Sequence, residues 1–597
     1  MEQLEQQRIF QSFLGGASYL IAKKESLNKI NDFPVADGDT GSNLAMLMQA
    51  IIDQIDRETL SMKQLLQSVA DASLMGARGN SGIIFAQYFN AVSRTFAQGE
   101  EDALSLAYAF IQAVTDAYHA LLDPKEGTIL TVMTVWSDAL YQGVLSEETF
   151  ENSLEQAKEK ALSALQQTRY QLKILRQNRL VDSGAKGFYH FIEGFTNTYC
   201  QHENHSIQSI VSSEGEPFVS EMEHATEEPT FRYCSEFLIK EATIDSDSLK
   251  EQLKEQGDSL IVVGEKRLLK IHIHTNQPKE LLRYLETIGT VINHKVDDMN
   301  LQFALSKKTK YPIAVVTDSI ADIPAALIFE EQIHVLPVNI LTDSTSYLDK
   351  ITIDSKNIRA KIERNEKLST AQPSIQSVDA LLSFLEGKYA EILIITVSSK
   401  LSGTYQLIKQ RIEAKAGNNE KIQIIDSKLN AAAQGLLVLS AVQAIKDGKS
   451  FSQVIETVNE TIKRSFIYVS VASLTPMIDS GRIPQKIGRL AQKLNLHPIV
   501  SLDENGEGKL TGFAFSQQSA TNKIIKQVKK DLRKGKLEAL AITHADNAKV
   551  AHEMNEKLAC DQLKTNHYTV ESSAAIAISA GIGAIAVAGI RQKEERK

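Results

Sequence analysis

The chain of 597 residues is long enough for about three or four domains at roughly 100–200 residues each. With 43% hydrophobic residues, 23% charged residues and 12 prolines, it is neither a disordered nor a fibrous sequence. Its 65 Lys and Arg against 74 Asp and Glu leave a formal charge of −9, which excludes a protein built mainly to grip nucleic-acid phosphates.

Residues 1–200 read as helices, with apolar positions at three- and four-residue spacing in LAMLM (44–48), 104–120 and 154–165; this block is expected to be all-α. Between 201 and 230 there is no Lys or Arg but seven Glu and three His, the composition of a solvated linker between two folding units. Residues 231–306 carry strand-like runs at FRYCSEFLI, DSLIVV, RLLKIHIH and GTVINHKV, with helical runs near 247–256 and 278–287. The order β-α-β-β-α-β matches an α+β ferredoxin-like unit with both helices on one face of a small sheet and the other face free. From 312 to the C-terminus, short apolar strands such as IAVVT, EILIITV, KIQIID, YVSVA and LAIT alternate with helices. That pattern predicts an α/β domain with a largely parallel sheet that binds ligands at strand C-termini.

Cys200, Cys234 and Cys560 are odd in number and far apart, so no disulfide framework is expected and a cytoplasmic setting fits. The N-terminal MEQLEQQRIF lacks a signal-peptide pattern. The run SSAAIAISAGIGAIAVAGI (572–590) approaches bilayer length, but Ala, Gly and Ser contribute little transfer energy. It reads as a buried strand and tight loop leading into a packed helix, with at most peripheral membrane contact.

Chemistry-bearing residues concentrate in loops that open helices. In Asp37-Gly38-Asp39-Thr40-Gly41-Ser42-Asn43, two carboxylates converge at a helix start, the protein's usual share of a Mg²⁺ site beside phosphate oxygens; the plainer reading is an acidic turn capped by Thr40 or Ser42. Met75-Gly76-Ala77-Arg78-Gly79-Asn80-Ser81-Gly82 opens a helix expected from Ile83 and offers backbone amides plus one guanidinium to a phosphate, though it is no Walker A loop. EGTILT (126–131) and VDSGAKG (181–187) repeat the theme. In the middle block, period-2 alternation places Lys270, His272 and His274 on one strand face, and Arg232, Cys234 and Glu236 on the outward face of another. If those strands are adjacent, Cys234, Glu236, His272 and His274 form a candidate Zn²⁺ constellation; the alternative is two ordinary surface histidines and a free thiol.

Together DGDTGSN, MGARGNSG, EGTILT and VDSG-x-x-G resemble the nucleotide-binding domain of the DhaL-like family, the ATP-binding partner in dihydroxyacetone kinases, and more closely its version in bacterial fatty acid kinase. The resemblance implies a barrel of antiparallel helices with ATP and two Mg²⁺ at one rim. It implies Asp37 and Asp39 as metal ligands with Asn31 or Asp32 as the third. Arg78, Gly79, Asn80, Ser81 and Gly82 would then bind phosphates, and Thr40, Thr128 and Asp182 would complete the pocket. The middle block is similar to its counterpart in fatty acid kinase through YC-x-EFL and K-x-H-x-HT; there the Cys and the two His are linked to metal binding and activity. The segments at 317–319, 369–374, 398–405 and 479–483 look like the DegV family of fatty-acid-binding proteins, which implies a two-lobed α/β domain. In that likeness Thr370 and Ser402 bind the carboxylate, with Arg482 nearby. The chain departs from the DegV pattern at Ala371, where Ser is usual, and at Ile578-Ser579-Ala580, where a His precedes the glycine turn.

The resemblance thus implies an ATP- and Mg²⁺-dependent kinase for a fatty acid carboxylate. Its acyl chain would be held by its own DegV-like domain or by a separate DegV-like carrier protein, and the chain would form a homodimer that binds no nucleic acid. The rival readings are a dihydroxyacetone kinase and a non-catalytic lipid-binding protein that senses ATP.

Overall fold

The computed structural model describes residues 3–31, 39–55, 61–172, 175–176, 180–200, 228–414, 421–482, 497–534, 536–558 and 567–593. It divides into two compact units, Met1–Lys307 and Lys308–Lys597. Most of the expected acidic linker, 201–227, lies outside the described residues, as do Asp32, Asp37 and Cys560.

The first unit begins with nine helices among the described residues: α1 (Gln3–Ala22), α2 (Lys24–Asn28), α3 (Thr40–Gln54), α4 (Met62–Gly76), α5 (Gly79–Ala97), α6 (Ala103–Ala120), α7 (Ile129–Leu145), α8 (Phe150–Gln171) and α9 (Ser183–Cys200). Their starts carry the chemistry that favours starts: Ser61 and Gln64 form a reciprocal capping box on α4, and Asp102 accepts the Ser105 amide at 2.7 Å on α6. Their apolar stripes meet in an aromatic core. Phe85 and Phe89 are 5.0 Å apart by ring centroid, Phe13 lies 5.8 Å from Phe89, and Phe188 touches Phe85, Tyr88 and Trp136. The glycine-rich loop differs from expectation, because α5 starts at Gly79 rather than Ile83: Gly79 takes φ +63° as the entry residue, and the later glycine is helical.

The same unit continues through β1 (Tyr233–Lys240), α10 (Ser246–Leu253), β2 (Asp258–Glu265), β3 (Leu268–Thr275), α11 (Pro278–Ile288), β4 (Thr290–Asp298) and α12 (Met299–Lys307). The strands form one antiparallel sheet in the order β2-β3-β1-β4. Phe237, Ile239, Leu269, Ile271 and Ile273 are buried on one face, beneath the leucines of α10 and α11.

The second face is not free. Leu238, Ile261, Val263 and Leu268 on it belong to the hydrophobic core of the helical block, and the Gly264 amide donates to Gln87 Oε1 of α5 at 3.3 Å. An apolar half-face of four such residues leaves water more favourably than it stays exposed, so the helices cover it. Gly264 has φ +96°, and a Cβ there would collide with the Leu268 carbonyl oxygen across the hairpin. Gly264→Ala is therefore expected to destabilise the first unit by about 2 kcal/mol or more, combining backbone strain with the clash. Denaturant unfolding checks this, and a midpoint equal to wild type would contradict it.

The second unit has three sheets. β5 (Ile313–Asp318), β6 (His334–Leu336), β10 (Glu391–Thr396) and β11 (Ile422–Asp426) form a parallel sheet ordered β11-β10-β5-β6. β7 (Asn339–Leu341), β8 (Ser346–Leu348) and β9 (Ser369–Ala371) form a small antiparallel one. The third holds β12 (Ser465–Ser470), β13 (His497–Leu502), β14 (Gly508–Ala514), β15 (Leu537–His544), β16 (His567–Glu571) and β17 (Ile585–Arg591), ordered β14-β13-β12-β17-β15-β16.

The expectation of a largely parallel sheet holds only for the first of these, because in the six-stranded sheet β15 and β16 are the one parallel pair. Local turn chemistry contributes: Asp503 accepts the amides of Asn505 and Glu507 at 2.9 Å each, closing the β13–β14 hairpin. The helices of this unit include α13 (Thr404–Ala414), α14 (Ala431–Lys446), α15 (Thr475–Asp479) and α16 (Ala574–Ala580). The alanine-rich α14 lies against β5 and β10 of one sheet and against β12, β15 and β17 of the other, so the two sheets share its core. The run 572–590 is helix α16, a glycine turn, then strand β17, the reverse of the expected order. Ser573 caps α16 through the Ile576 amide, and the β-branched residues that favour a strand fall after the glycines. Among the described residues, no helix is long and apolar enough to cross a membrane.

Candidate functional site

In the first unit, helix N-termini gather at one end. Asn28 Oδ1 accepts the Ser42 amide at 3.0 Å, Ser183 donates to the Leu27 carbonyl at 2.9 Å, and Gly184 at the start of α9 packs against Ser81 at the start of α5. Here Asn31, Asp39, Thr40, Asn43, Arg78 and the first turn of α5, Gly79-Asn80-Ser81-Gly82, line one side of a cavity. Its other side is the sheet: Cys234, Glu236, His272, His274, Lys295 and Asp297. The two candidate sites of the sequence, one for phosphate with Mg²⁺ and one for a Cys/His metal, are therefore walls of a single cavity.

Asp39 precedes α3 and makes no side-chain cap bond to it. Burial first, then Glu236, Asp297 and, least of these, Asp39 push the Cys234 thiol up. Burial works to lower Lys295, but Asp297, Glu236 and Asp39 together hold it well above the ordinary lysine range and so keep it charged. Sequence reading missed Lys295 and Asp297. The signal was the alternation His294, Lys295, Val296, Asp297 on β4, whose register sets Lys295 beside Glu236 and Asp297 beside Cys234. Asp37 and Asp32 fall outside the described residues. Thr128 and Asp182 do not line the cavity. Thr128 precedes α7 and donates to the Lys125 carbonyl, whereas Asp182 is buried behind the loops, accepting the Ala185 amide at 2.7 Å. Burial raises the Asp182 carboxyl to about 6.

On the sheet, ligand atoms of Cys234, His272 and His274 lie within 4.8 Å of one another. His272 Nδ1 is 3.9 Å from Cys234 Sγ, and its Nε2 is buried with no hydrogen-bond partner. His274 Nδ1 is held by Asp258 Oδ1 at 2.9 Å, an outer carboxylate that orients the ring. Burial first, and then neighbouring His272, lower His274 to about 3, so it stays neutral and able to ligate at physiological pH. One thiol and two imidazoles suit Zn²⁺ with a fourth position open. Glu236, expected among the ligands, is not in this group. Its carboxylate instead accepts the Gly79 amide at 2.6 Å and pairs with Lys270 at 3.2 Å.

The second unit brings Thr370, Ser402 and Arg482 to one cavity of about 430 Å³. Arg482 Nη2 donates to Thr370 Oγ1 at 3.3 Å, and Ser402 opens α13 by accepting the Thr404 amide at 3.3 Å. Ile467, Val469, Val500 and Ile585 supply apolar wall, as an alkyl chain requires. Ala371, the first departure from the DegV pattern, and Ser579 and Ala580 of the second line it too, as does His544, which sequence reading missed.

Three sequence families match the chain in succession: the DAK2 domain over residues 34–197, the FakA-like middle domain of fatty acid kinase over 230–306, and the DegV family, itself described as uncharacterised, over 312–592. Curated relatives include an uncharacterized protein of Staphylococcus aureus strain USA300, 27% identical over 462 residues that cover 73% of this chain and 80% of the relative. A protein of strain NCTC 8325 / PS 47 matches to the same extent. Among solved structures, a fatty-acid-binding DegV protein from Bacillus subtilis is 25% identical, with a TM-score of 0.43, over 47% of this chain and 100% of that one. A fatty-acid-binding DegV family protein from Thermus thermophilus is 22% identical, with a TM-score of 0.44, over the same shares.

Proposed function

Because the chain joins a DAK2 domain, a FakA-like middle domain of fatty acid kinase and a DegV domain in series, we propose that it is an ATP-dependent kinase that phosphorylates a fatty acid carboxylate. A carboxylate oxygen attacks the γ-phosphorus of ATP, the bond to the β-phosphate oxygen breaks, and acyl phosphate and ADP result. The carboxylate is its own nucleophile, so the protein needs to position and to neutralise charge rather than to form a covalent intermediate. Asp39, with Asp37 and Asn31 or Asp32, would hold Mg²⁺, which when bound neutralises the phosphates. The amides of Asn80, Ser81 and Gly82, with Arg78, would bind the phosphates at the start of α5. Thr370, Ser402 and Arg482 of this chain's own DegV domain would take the acyl carboxylate, or a separate DegV-like carrier would present it. We read the nine helices as a DhaL-like barrel and the β2-β3-β1-β4 sheet as a ferredoxin-like unit.

The observation that carries the proposal is the single cavity in which Asp39, the Arg78–Gly82 loop and the Cys/His cluster face one another. The test is the purified chain with fatty acid, ATP and Mg²⁺, with hydroxylamine to trap acyl phosphate as hydroxamate. Product from the chain alone supports kinase and carrier in one molecule. Product only after adding a DegV-like carrier assigns the acyl role elsewhere, and no product in either case rejects the reading. Arg482→Ala is expected to weaken binding of an ionised fatty acid about tenfold, the worth of one charge-assisted hydrogen bond, and to leave a methyl ester unaffected. Displacement of a fluorescent fatty acid measures both.

A further inference from the structure

The contact between Glu236 and Gly79 joins residues 157 positions apart, from the metal-bearing strand to the first residue of the phosphate loop. Glu236 is only 3% exposed, and the Gly79 amide reaches its Oε1 at 2.6 Å. Its other oxygen pairs with Lys270 at 3.2 Å, and Lys270 is itself 6% exposed. His272 Nδ1 lies 3.7 Å from the first oxygen. The register of β1 and β3 sets Glu236 opposite His272 and Cys234 opposite His274, so Glu236 lies among the cluster's ligands without being one of them.

This arrangement has two consequences. A buried carboxylate paired with a buried ammonium adds no net charge to the start of α5, so the helix's positive end stays available to an incoming anion. The Gly79 amide is already spent, which leaves the amides of Asn80, Ser81 and Gly82 as the donors for a phosphate. Gly79 also has φ +63°, and Asn43 Nδ2 would stand 3.0 Å from a Cβ placed there, so this residue packs closely against α3 on one side and is bonded to the sheet on the other.

We propose that Glu236 is a positioning residue that fixes the phosphate loop to the Cys/His strand, so that the grip on the nucleotide's phosphates depends on a carboxylate supplied by the middle domain. The proposal rests on the reading of the α5 loop as the phosphate site. It gives a residue with the right chemistry for a metal ligand, 3.7 Å from His272 Nδ1, a task at the start of α5 instead.

The test uses the full chain and two readouts: affinity for ADP with Mg²⁺ by calorimetry, and hydrogen exchange at the Gly79–Gly82 amides without nucleotide. Glu236→Ala is expected to weaken ADP by about tenfold or more, as for loss of a hydrogen bond to a charged group, and to speed exchange at Gly79. Glu236→Asp keeps the charge beside Lys270 but draws the carboxylate back from Gly79, so it should show the same loosening in a chain that still folds. Glu236→Gln retains an acceptor and should stay within about threefold of wild type. Wild-type exchange at Gly79 together with wild-type ADP affinity in Glu236→Asp would overturn the proposal. If the wild-type chain binds no ADP, the phosphate-site reading fails, while the exchange result still decides whether Glu236 holds the loop.

Discussion

Asp39→Asn is expected to lower ATP-dependent hydroxamate formation by roughly 10²–10³-fold in kcat, the scale of losing one preorganised charge in a phosphoryl-transfer site. The fold should survive the change. Asp39 makes no side-chain cap bond to α3, whose backbone ladder begins with the Asn43 amide donating to the Asp39 carbonyl at 2.8 Å, a bond that asparagine keeps. What the substitution removes is the negative charge that faces Lys295 and Cys234 across the cavity. A Mg²⁺ titration distinguishes the causes: a weakened ligand set should demand more Mg²⁺ for half-maximal rate, whereas a purely structural lesion should not. Wild-type turnover in Asp39→Asn would remove this residue from the metal site.

Phe188→Ala is expected to cost about 3–5 kcal/mol of stability in the first unit, the range for truncating a fully buried aromatic side chain. Phe188 is 0% exposed on α9, with ring centroids 5.4 Å from Phe85, 5.7 Å from Tyr88 and 5.9 Å from Trp136. It therefore ties α9 to both α5 and α7, the helices whose starts lie beside Asp182 and the phosphate loop. The loss should appear as a lower denaturant midpoint for the first unit. A midpoint within about 1 kcal/mol of wild type would mean that the cavity collapses around the missing ring.

The parts of this molecule that were legible in the sequence are those set by local periodicity. The alternation in RLLKIHIH gave the correct face to Lys270, His272 and His274, and the helices expected after EGTILT and VDSGAKG start within those segments, at Ile129 and Ser183. Thr370, Ser402 and Arg482, named from separate segments, line one cavity. What escaped depends on tertiary contact. Glu236 carries the residue type of a metal ligand, and only the approach of Gly79 from a distant helix gives it another task. The sheet's second face was expected to be free because the β-α-β-β-α-β order puts both helices on the other one, although Leu238 and Leu268 share that second face and Ile261 and Val263 extend it on β2. In the run 572–590 the Ala and Gly content carries almost no periodic signal, so the order of helix and strand could not be read from it.

The covered face of the sheet also bears on how the protein is made. The helical block is complete by Cys200, but the sheet that covers its flank is finished only at Asp298, about a hundred residues later. At synthesis rates of roughly 5–20 residues per second, the flank that will receive Leu238, Ile261, Val263 and Leu268 waits for about 5–20 s beside the ribosome. For that interval the apolar flank has no partner within the chain, so the core of the first unit is completed only after the strands of its sheet have been made.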